Sequence, residues 1–280
     1  MRPQPAAGNV TAVCLLIALS RIVAGAPLIV AANRDELYQR PAVPLTVLRD
    51  QQPRILGGRD KLAGGTWLAV SEHGLVAGLT NQPSAGRDPT RRSRGELPLA
   101  FAAYPDAATA VAQVCPRLDP ADYNPCWLLV GDRHRLYSIG VTGGHQPDVT
   151  ELPPGSYVLE NAPLRQDSAK QRYIAGRIAP ALAGPAAQVE TALAAVLADH
   201  QPTAGPRPAT VGGPGRPAEV SAACVHTARY GTRSAMIVSV GVTGPPRLSV
   251  ADGPPCTAPL LDGGSRWASP AAGVAPGGGP

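Results

Sequence analysis

The sequence is poor in lysine and in phenylalanine. Of its 280 residues, only Lys61 and Lys170 are lysines and only Phe101 is a phenylalanine, so the net charge of +5 comes from arginine. The arginines are dense only in residues 87–94, which contain no aromatic residue. Nucleic-acid binding needs a basic face with aromatic side chains that stack on bases. We therefore expect a solvated loop at residues 87–94 and no nucleic-acid partner.

The local motifs of the common cofactor sites are also missing. The five cysteines form no C-x-x-C pair, and the five histidines form no H-x-H or H-E-x-x-H pattern, which argues against a structural zinc site. Neither glycine-rich phosphate-binding motif, G-x-G-x-x-G or G-x-x-x-x-G-K-[ST], occurs. We expect no metal and no cofactor.

The cysteine count and the lengths of the apolar runs indicate the cellular compartment. An odd number of cysteines in a chain of this length argues against a disulfide framework and favours a reducing compartment. No apolar run approaches the roughly 20 residues of a membrane helix. We therefore expect a cytoplasmic protein without integral membrane contact, and the oligomeric state stays open.

Apolar runs and turn signals predict an α+β protein in which hairpins dominate. The expected order is four strands (15–22, 28–33, 66–71, 75–81), two helices (95–104, 106–115), four strands (126–131, 136–141, 149–152, 156–160), two helices (168–184, 186–200), a loop (201–218) and three strands (222–226, 234–240, 247–250). Several of these strands are apolar throughout, so both of their faces should be buried. Two stacked antiparallel sheets between two helical layers, a four-layer α/β/β/α sandwich, would bury them.

Residues 12–36 allow two interpretations. Arg2, an apolar stretch and Ala24-Gly25-Ala26 are typical of a secretory signal peptide. Alternatively, residues 15–22 and 28–33 pair around the turn at Val23–Pro27 and form the first hairpin. Cleavage after Ala26 would remove the first strand and expose a sheet edge, and Arg21 interrupts the apolar run. We therefore favour the hairpin.

Five segments together resemble the motifs of the NRDE family, to which the transport and Golgi organisation 2 proteins belong. They are AANRDELYQRP, GGRDKLAGGTWLAVSEHGLVAGLTN, RSRGEL, LENAPL and YGTRSAMIV, in this order between residues 14 and 252. The resemblance extends more distantly to choloylglycine- and penicillin-acylase-type hydrolases with an N-terminal cysteine nucleophile. It implies the four-layer fold of the N-terminal-nucleophile hydrolases, with one domain over residues 14–262. The Gly/Pro/Ala-rich composition of residues 263–280 predicts a disordered tail.

Members of this family usually begin Met-Cys, whereas here thirteen residues precede Cys14. Valine codons include an alternative bacterial start codon, so we hypothesise that translation begins at Val13 and that residues 1–13 are a non-native extension. Cys14 would then be N-terminal, and its α-amine would serve as the base that activates the thiol. The alternative is that Cys14 is a small buried apolar residue of the first strand.

The resemblance implies a catalytic role for three residues. Cys14 would attack a carbonyl, Asp35 would orient the α-amine, and Asn81 would stabilise the oxyanion together with a backbone N–H. Substrate contacts are implied for a further set: Arg34, Asn33, Asn161, Arg233 and Trp67.

Each of these residues also has an ordinary structural interpretation. Residues 33–36 are a charged hairpin end, and Asn81 and Asn161 are loop residues before a proline-containing turn. Arg233 lies in solvent after Gly231 at positive φ, and Trp67 packs in the core.

Two functions from different classes therefore stay open. The first is a cysteine hydrolase that cleaves a non-peptide amide or a thioester of a small acyl substrate. The second, also implied by the family, is a non-catalytic carrier of haem, acyl-CoA or lipid, whose pocket holds an apolar ligand.

Overall fold

The computed structural model describes residues 14–82, 87–164, 167–204 and 217–268. Within these residues there are thirteen strands, four α-helices and five short 3₁₀ helices. The strands are β1 (Leu15–Ser20), β2 (Leu28–Leu37), β3 (Ala42–Arg49), β4 (Ile55–Asp60), β5 (Leu68–Ser71), β6 (Val76–Asn81), β7 (Cys126–Gly131), β8 (Leu136–Val141), β9 (Asp148–Leu152), β10 (Gly155–Leu159), β11 (Tyr230–Val240), β12 (Arg247–Ala251) and β13 (Leu261–Asp262). The helices are α1 (Glu96–Ala102), α2 (Ala107–Val114), α3 (Ala169–Ile178) and α4 (Ala186–Leu197).

The strands form two antiparallel sheets that stack face to face. Sheet 1 has the order β10-β1-β2-β11-β12-β13, and sheet 2 has the order β3-β4-β5-β6-β7-β8-β9. One apolar core lies between the sheets, a second joins sheet 1 to α3 and α4, and a third joins sheet 2 to α1 and α2. The predicted four-layer α/β/β/α sandwich is therefore confirmed.

Burial on both faces explains why the central strands are apolar throughout. In β1, Leu16 and Ala18 face the core between the sheets, whereas Leu15, Ile17 and Leu19 face the helices. Because β1 is paired on both edges, with β10 and β2, every residue from Leu15 to Ser20 is buried. The run that resembled a signal peptide is thus an internal core strand.

Side-chain caps begin two of the helices. The Asp106 side chain accepts a hydrogen bond from Thr109 N at 2.7 Å, which starts α2 as its position predicts. Ser168 and Gln171 form a reciprocal capping box at the start of α3. This helix ends at Ile178, before the expected end at residue 184, because Pro180 cannot continue it and lies in the 3₁₀ helix that follows.

Three strands were not predicted: β3, β4 and the two-residue β13. The segment that forms β3 and β4 contains Pro44, Pro53 and the pair Gly57-Gly58, which hide the strand pattern. Because β3 is the edge strand of sheet 2, it tolerates a proline that a central strand would not.

Two other expectations were wrong. Residues 222–226 do not form the predicted strand and make only one isolated bridge, between His226 and Gly231. Their backbone hydrogen bonds go to different segments, because Cys224 N donates to Asp199 O and Val225 O accepts from Thr232 N. Residues 264–267 were expected in a disordered tail but form a 3₁₀ helix, because Trp267 packs against the core between the sheets and donates to Pro246 O at 2.8 Å. The loop 201–218 and the remainder of the tail fall largely outside the described residues.

No helix in the described part of the chain combines the length and apolarity needed to cross a membrane.

A pair of glycine substitutions tests the packing of β4. An added Cβ at Gly57 would lie 2.2 Å from the Leu68 backbone oxygen, whereas at Gly176 in α3 no atom lies within 4 Å. Gly57→Ala should lower the free energy of unfolding in urea by about 1–3 kcal/mol, and Gly176→Ala should raise it by about 1 kcal/mol. Equal effects of the two substitutions would contradict this packing.

Candidate active site

The first hairpin brings Cys14 next to the charged end of β2. Leu15 pairs with Asn33, so Cys14, one residue earlier, lies beside Arg34. The turn at residues 21–26 closes the hairpin, and Arg21 N donates to Pro27 O at 2.6 Å. Antiparallel pairing therefore places Cys14 beside the charged end of β2.

A cleft of about 230 Å³ opens over Cys14, at the end of the sandwich where β1 begins and β2 and β6 end. Its wall is largely polar and charged. The cleft is lined by residues from β2 (Arg34, Asp35, Glu36, Leu37), from the segments around β4 and β6 (Asp60, Gly65, Thr66, Trp67, Leu79, Asn81, Gln82) and from the arginine-rich segment (Arg87, Arg92, Ser93, Arg94, Gly95), with Cys14, Arg40 and Asn124.

The Cys14 thiol is buried and poorly ionised as long as residue 14 is internal to the chain. Burial raises its pKa to about 12, the negative charge of Asp35 acts in the same direction, and Arg34 opposes both. At neutral pH the sulfur therefore stays protonated, and it needs a nearby base to become a nucleophile.

Asp35 is the buried acid of the site. Its carboxylate Oδ1 accepts a hydrogen bond from Thr232 Oγ1 at 2.5 Å, and the buried Lys170 lies close enough to favour its charged form. Burial nevertheless dominates and raises the pKa of Asp35 to about 7. The second oxygen, Oδ2, is buried and accepts no hydrogen bond from the described residues. An acceptor with spare capacity thus lies next to Cys14.

Arg34 is held across the cleft wall by two kinds of contact. Its guanidinium lies 4.6 Å from the centre of the Trp67 ring, a cation–π arrangement. The same group lies 3.9 Å from carboxylate oxygens of both Glu36 and Asp60. These contacts hold the positive charge of Arg34 near Cys14. Trp67 forms the part of the cleft wall beside Arg34.

Arg94 is a second arginine of the cleft, which the sequence analysis missed. The prediction of a solvated loop is wrong for this residue, because Arg94 is partly buried, donates to Pro125 O at 3.1 Å and has a pKa lowered by burial. Its position depends on close backbone packing: an added Cβ at Gly65 would lie 2.6 Å from the Gly95 carbonyl carbon, and Thr66 N donates to Gly95 O at 2.9 Å. The GGTW and RSRGEL segments therefore meet at the cleft.

The two asparagines are neighbours in space but differ in exposure to the cleft. Asn81 ends β6, pairs with Cys126 of β7 and lines the cleft. Asn161 Nδ2 donates to the backbone oxygen of Asn81 at 2.5 Å, and Asn161 is not part of the lining. Asn161 thus supports the strand end that carries Asn81.

Two further residues expected at the substrate, besides Asn161, do not line the cleft. Strand alternation turns Asn33 toward the helices, and its Nδ2 donates to Leu197 O at 2.9 Å and to Ala223 O at 2.8 Å. Arg233 is the extra residue of a bulge in β11, between Thr232 and Ser234, and bonds to the carbonyl oxygens of Leu37 and Tyr38. We therefore withdraw the substrate contacts predicted for Asn33 and Arg233.

The network beneath Asp35 could not be found by motif. Gly231 lies inside β11 rather than in a turn with positive φ, and an added Cβ there would lie 2.5 Å from Val225 O. Thr232 follows it and accepts a hydrogen bond from Val225 N at 2.9 Å. Lys170 Nζ donates to Ala222 O at 2.7 Å. The only sequence signal was that Lys170 is one of two lysines.

The four-layer sandwich with a buried cysteine at the start of its first strand places the chain in the N-terminal-nucleophile hydrolase fold class. The chain belongs to the Transport and Golgi organisation 2 family, whose sequence profile matches residues 13–248. It is 31% identical over 236 residues to the Transport and Golgi organization 2 homolog of Mus musculus, a match that covers 78% of this chain and 83% of that protein. The Homo sapiens homolog is 31% identical over 234 residues, with the same coverage. These relatives are mammalian and give no support to a bacterial source.

Solved structures that resemble the chain include penicillin V acylase from Agrobacterium tumefaciens. That likeness has a TM-score of 0.45 and 9% identity, and covers 85% of this chain and 86% of that one. A Caenorhabditis elegans ortholog of N-acylethanolamine-hydrolyzing acid amidase aligns with a TM-score of 0.45 and 12% identity, over 64% of this chain and 85% of that one. A mutant of conjugated bile acid hydrolase from Clostridium perfringens aligns with a TM-score of 0.36 and 12% identity, over 51% of this chain and 52% of that one.

The raised pKa of Asp35 predicts a specific pH dependence of stability. The folded-state pKa of about 7 lies above the unfolded value of about 3.9, so the folded state holds this proton more tightly. The resulting stabilisation is present below about pH 4 and is lost as the pH rises to 7. Asp35→Asn, which stays neutral, should therefore gain free energy of unfolding relative to the parent chain between pH 4 and 8.

Urea unfolding at several pH values measures this difference. Asp148→Asn, at an exposed position of β9, is the matched control and should keep the pH dependence of the parent chain. A stability difference between Asp35→Asn and the parent that is the same at every pH would show that folding does not raise the pKa of Asp35.

Proposed function

We propose that the protein is an N-terminal-cysteine hydrolase that cleaves a non-peptide amide or a thioester of a small acyl substrate. The observation that carries this proposal is the convergence of the Cys14 sulfur, the buried Asp35 carboxyl and the arginines Arg34 and Arg94 in one cleft. All five cysteines are free, which suits the reducing, cytoplasmic location we expect.

The chemistry requires a free α-amine on Cys14, that is, a chain in which no peptide bond joins Val13 to Cys14. The amine, with a reference pKa of about 7.7–8.0, takes the thiol proton as the sulfur attacks the substrate carbonyl carbon. The ammonium then protonates the leaving amine or thiolate, and an acyl-thioester forms on Cys14. Water, deprotonated by the same amine, attacks this thioester and releases the carboxylate product.

Asp35 would orient the α-amine through its unsatisfied Oδ2. A carboxylate oxygen buried without a donor is costly, and an ammonium on the adjacent nucleophile would supply three donors. Thr232 Oγ1 donates to the other oxygen, Oδ1, so the orientation of the carboxyl is fixed before the substrate binds, and the charge of Lys170 favours the ionised form.

The negative charge that develops on the substrate carbonyl oxygen needs a donor. Asn81 lines the cleft from the end of β6, and Asn161 braces its backbone. We assign Asn81 the oxyanion role, together with a backbone N–H.

The other side chains that line the cleft indicate the class of substrate. Five arginines line the cleft (Arg34, Arg40, Arg87, Arg92 and Arg94), against few apolar side chains, among them Leu37, Trp67 and Leu79. Such a wall suits an acyl compound with a carboxylate or phosphate group, because arginine binds both in a bidentate manner.

The alternative, a carrier of haem or another apolar ligand, fits this wall less well. No histidine of the described residues lines the cleft, and its wall is more polar than apolar. A carrier of acyl-CoA is compatible with the arginines, and the experiments below separate it from an enzyme by turnover.

The first experiment compares the chain that begins at Cys14 with the chain that retains residues 1–13. Both are incubated with a panel of acyl amides and acyl thioesters that carry a carboxylate or phosphate. We expect turnover and an acyl adduct on Cys14, detected by mass spectrometry, only in the shorter chain.

Two variants of the shorter chain serve as controls. Cys14→Ala should abolish turnover, and Cys115→Ala, at a buried cysteine outside the cleft lining, should retain it. Binding of an acyl thioester without turnover in the shorter chain would favour the carrier instead.

A second prediction concerns Arg94. Arg94→Met should lower kcat/KM for an anionic substrate by about tenfold or more, because a charge-assisted contact of roughly 1.5–3 kcal/mol is lost. Arg91→Met, in the same segment but outside the cleft lining, is the matched control and should change kcat/KM little. Equal losses in both variants would remove Arg94 from the proposed site.

A further inference from the structure

A cluster of four potential metal ligands lies on the far side of the Asp35 network. It consists of His200, Cys224, His226 and Cys256, whose ligand atoms all lie within 4.8 Å of one another. The four side chains come from three separate segments: the end of α4, the stretch before β11, and the loop between β12 and β13. Because no two of them form a C-x-x-C or H-x-H pair, local spacing could not predict the cluster.

The distances suit tetrahedral coordination. His226 Nε2 lies 3.7 Å from Cys224 Sγ and 3.3 Å from Cys256 Sγ. In a tetrahedral zinc site with two thiolates and two imidazoles, neighbouring ligand atoms are separated by about 3.3–3.8 Å, as follows from the metal–ligand bond lengths. These two pairs already fall in or at the edge of this range, and the widest pair in the cluster would close by about 1 Å on binding.

The second histidine is held in the tautomer that a metal requires. His200 Nδ1 lies 3.1 Å from the Cys224 carbonyl oxygen, and a carbonyl only accepts, so Nδ1 carries the hydrogen. The lone pair is then on Nε2. A backbone carbonyl bonded to the other ring nitrogen is the usual support of a metal-bound histidine.

The cluster is accessible from one side and anchored on the other. Cys224 is buried, Cys256 is half-buried, and both histidines are exposed, so an ion can reach the site from solvent. Two thiolates and two neutral imidazoles neutralise a divalent ion, and the mixed sulfur and nitrogen donors favour zinc among the common ions. We propose that His200, Cys224, His226 and Cys256 bind one structural zinc ion.

Such an ion would stabilise the support of the candidate active site. Residues 222–226 provide the carbonyl oxygens that accept hydrogen bonds from Lys170 and Asn33, and their Val225 N–H donates to Thr232, the partner of Asp35. A zinc ion would link this segment to α4 and to the β12–β13 loop, so its removal should loosen the groups that hold Asp35.

The test uses the untagged full chain purified from zinc-supplemented medium, with elemental analysis by mass spectrometry. We expect about one zinc ion per chain, retained by Cys115→Ser, whose cysteine is buried elsewhere. Cys256→Ser and, independently, His200→Asn should each lower zinc affinity at least about tenfold. A chelator should lower the Tm of the parent chain but not that of Cys256→Ser.

Cobalt replacement of the ion in the parent chain gives a readout that requires no variant to fold. A thiolate-to-cobalt charge-transfer band together with the strong visible bands of tetrahedral cobalt would support the site. A zinc-free chain that gives no such spectrum on cobalt addition would overturn the proposal. A disulfide between Cys224 and Cys256 in the zinc-free chain, or full zinc retention in Cys256→Ser, would also overturn it.

Discussion

Burial of the Asp35 carboxyl is the constraint on which the rest of this site depends. A carboxyl removed from water stays at its place only if donors and positive charge surround it. Thr232, Lys170 and Arg34 supply these from three different parts of the chain. Cys14 lies beside this acid because β1 and β2 pair in one register. Burial keeps the Cys14 thiol protonated and unreactive. The same arrangement places the Asp35 carboxylate, a hydrogen-bond acceptor, where the α-amine of an N-terminal Cys14 would lie.

The charge distribution follows from this arrangement. The negative charge of Asp35 opposes ionisation of Cys14, and Arg34 favours the charged forms of both. Arg34 is held in place by its contacts with Trp67, Glu36 and Asp60. The positive charge that favours the ionised forms of Cys14 and Asp35 is therefore a fixed part of the cleft wall. Arg94 enters from the opposite side through the contact of Gly65 with Gly95. A cleft with five arginines over the buried Cys14 is consistent with the proposed anionic acyl substrate.

Sequence patterns were sufficient to predict the features that depend on residues close together in the chain. The apolar run of β1, the turn after it and the charged end of β2 predicted the hairpin and the position of Cys14. The pairing of Thr232 with Asp35 joins residues 197 positions apart, and no periodicity reports such a contact. The family resemblance predicts a substrate contact for Arg233, but a bulge turns this residue away, and a bulge leaves no local signal when the strand is apolar. Arg94 was assigned to solvent because its burial depends on two glycines that meet only in the fold.

The rate at which iodoacetamide alkylates Cys14 near pH 7 tests the central claim most directly, since only the thiolate reacts. In the chain that begins at Cys14, the α-amine beside Asp35 should promote the thiolate and make this alkylation much faster than in the chain that retains residues 1–13. Asp35→Asn should remove most of that difference. Equally slow alkylation of Cys14 in both chains would show that the terminal amine does not activate the sulfur, and would contradict the account.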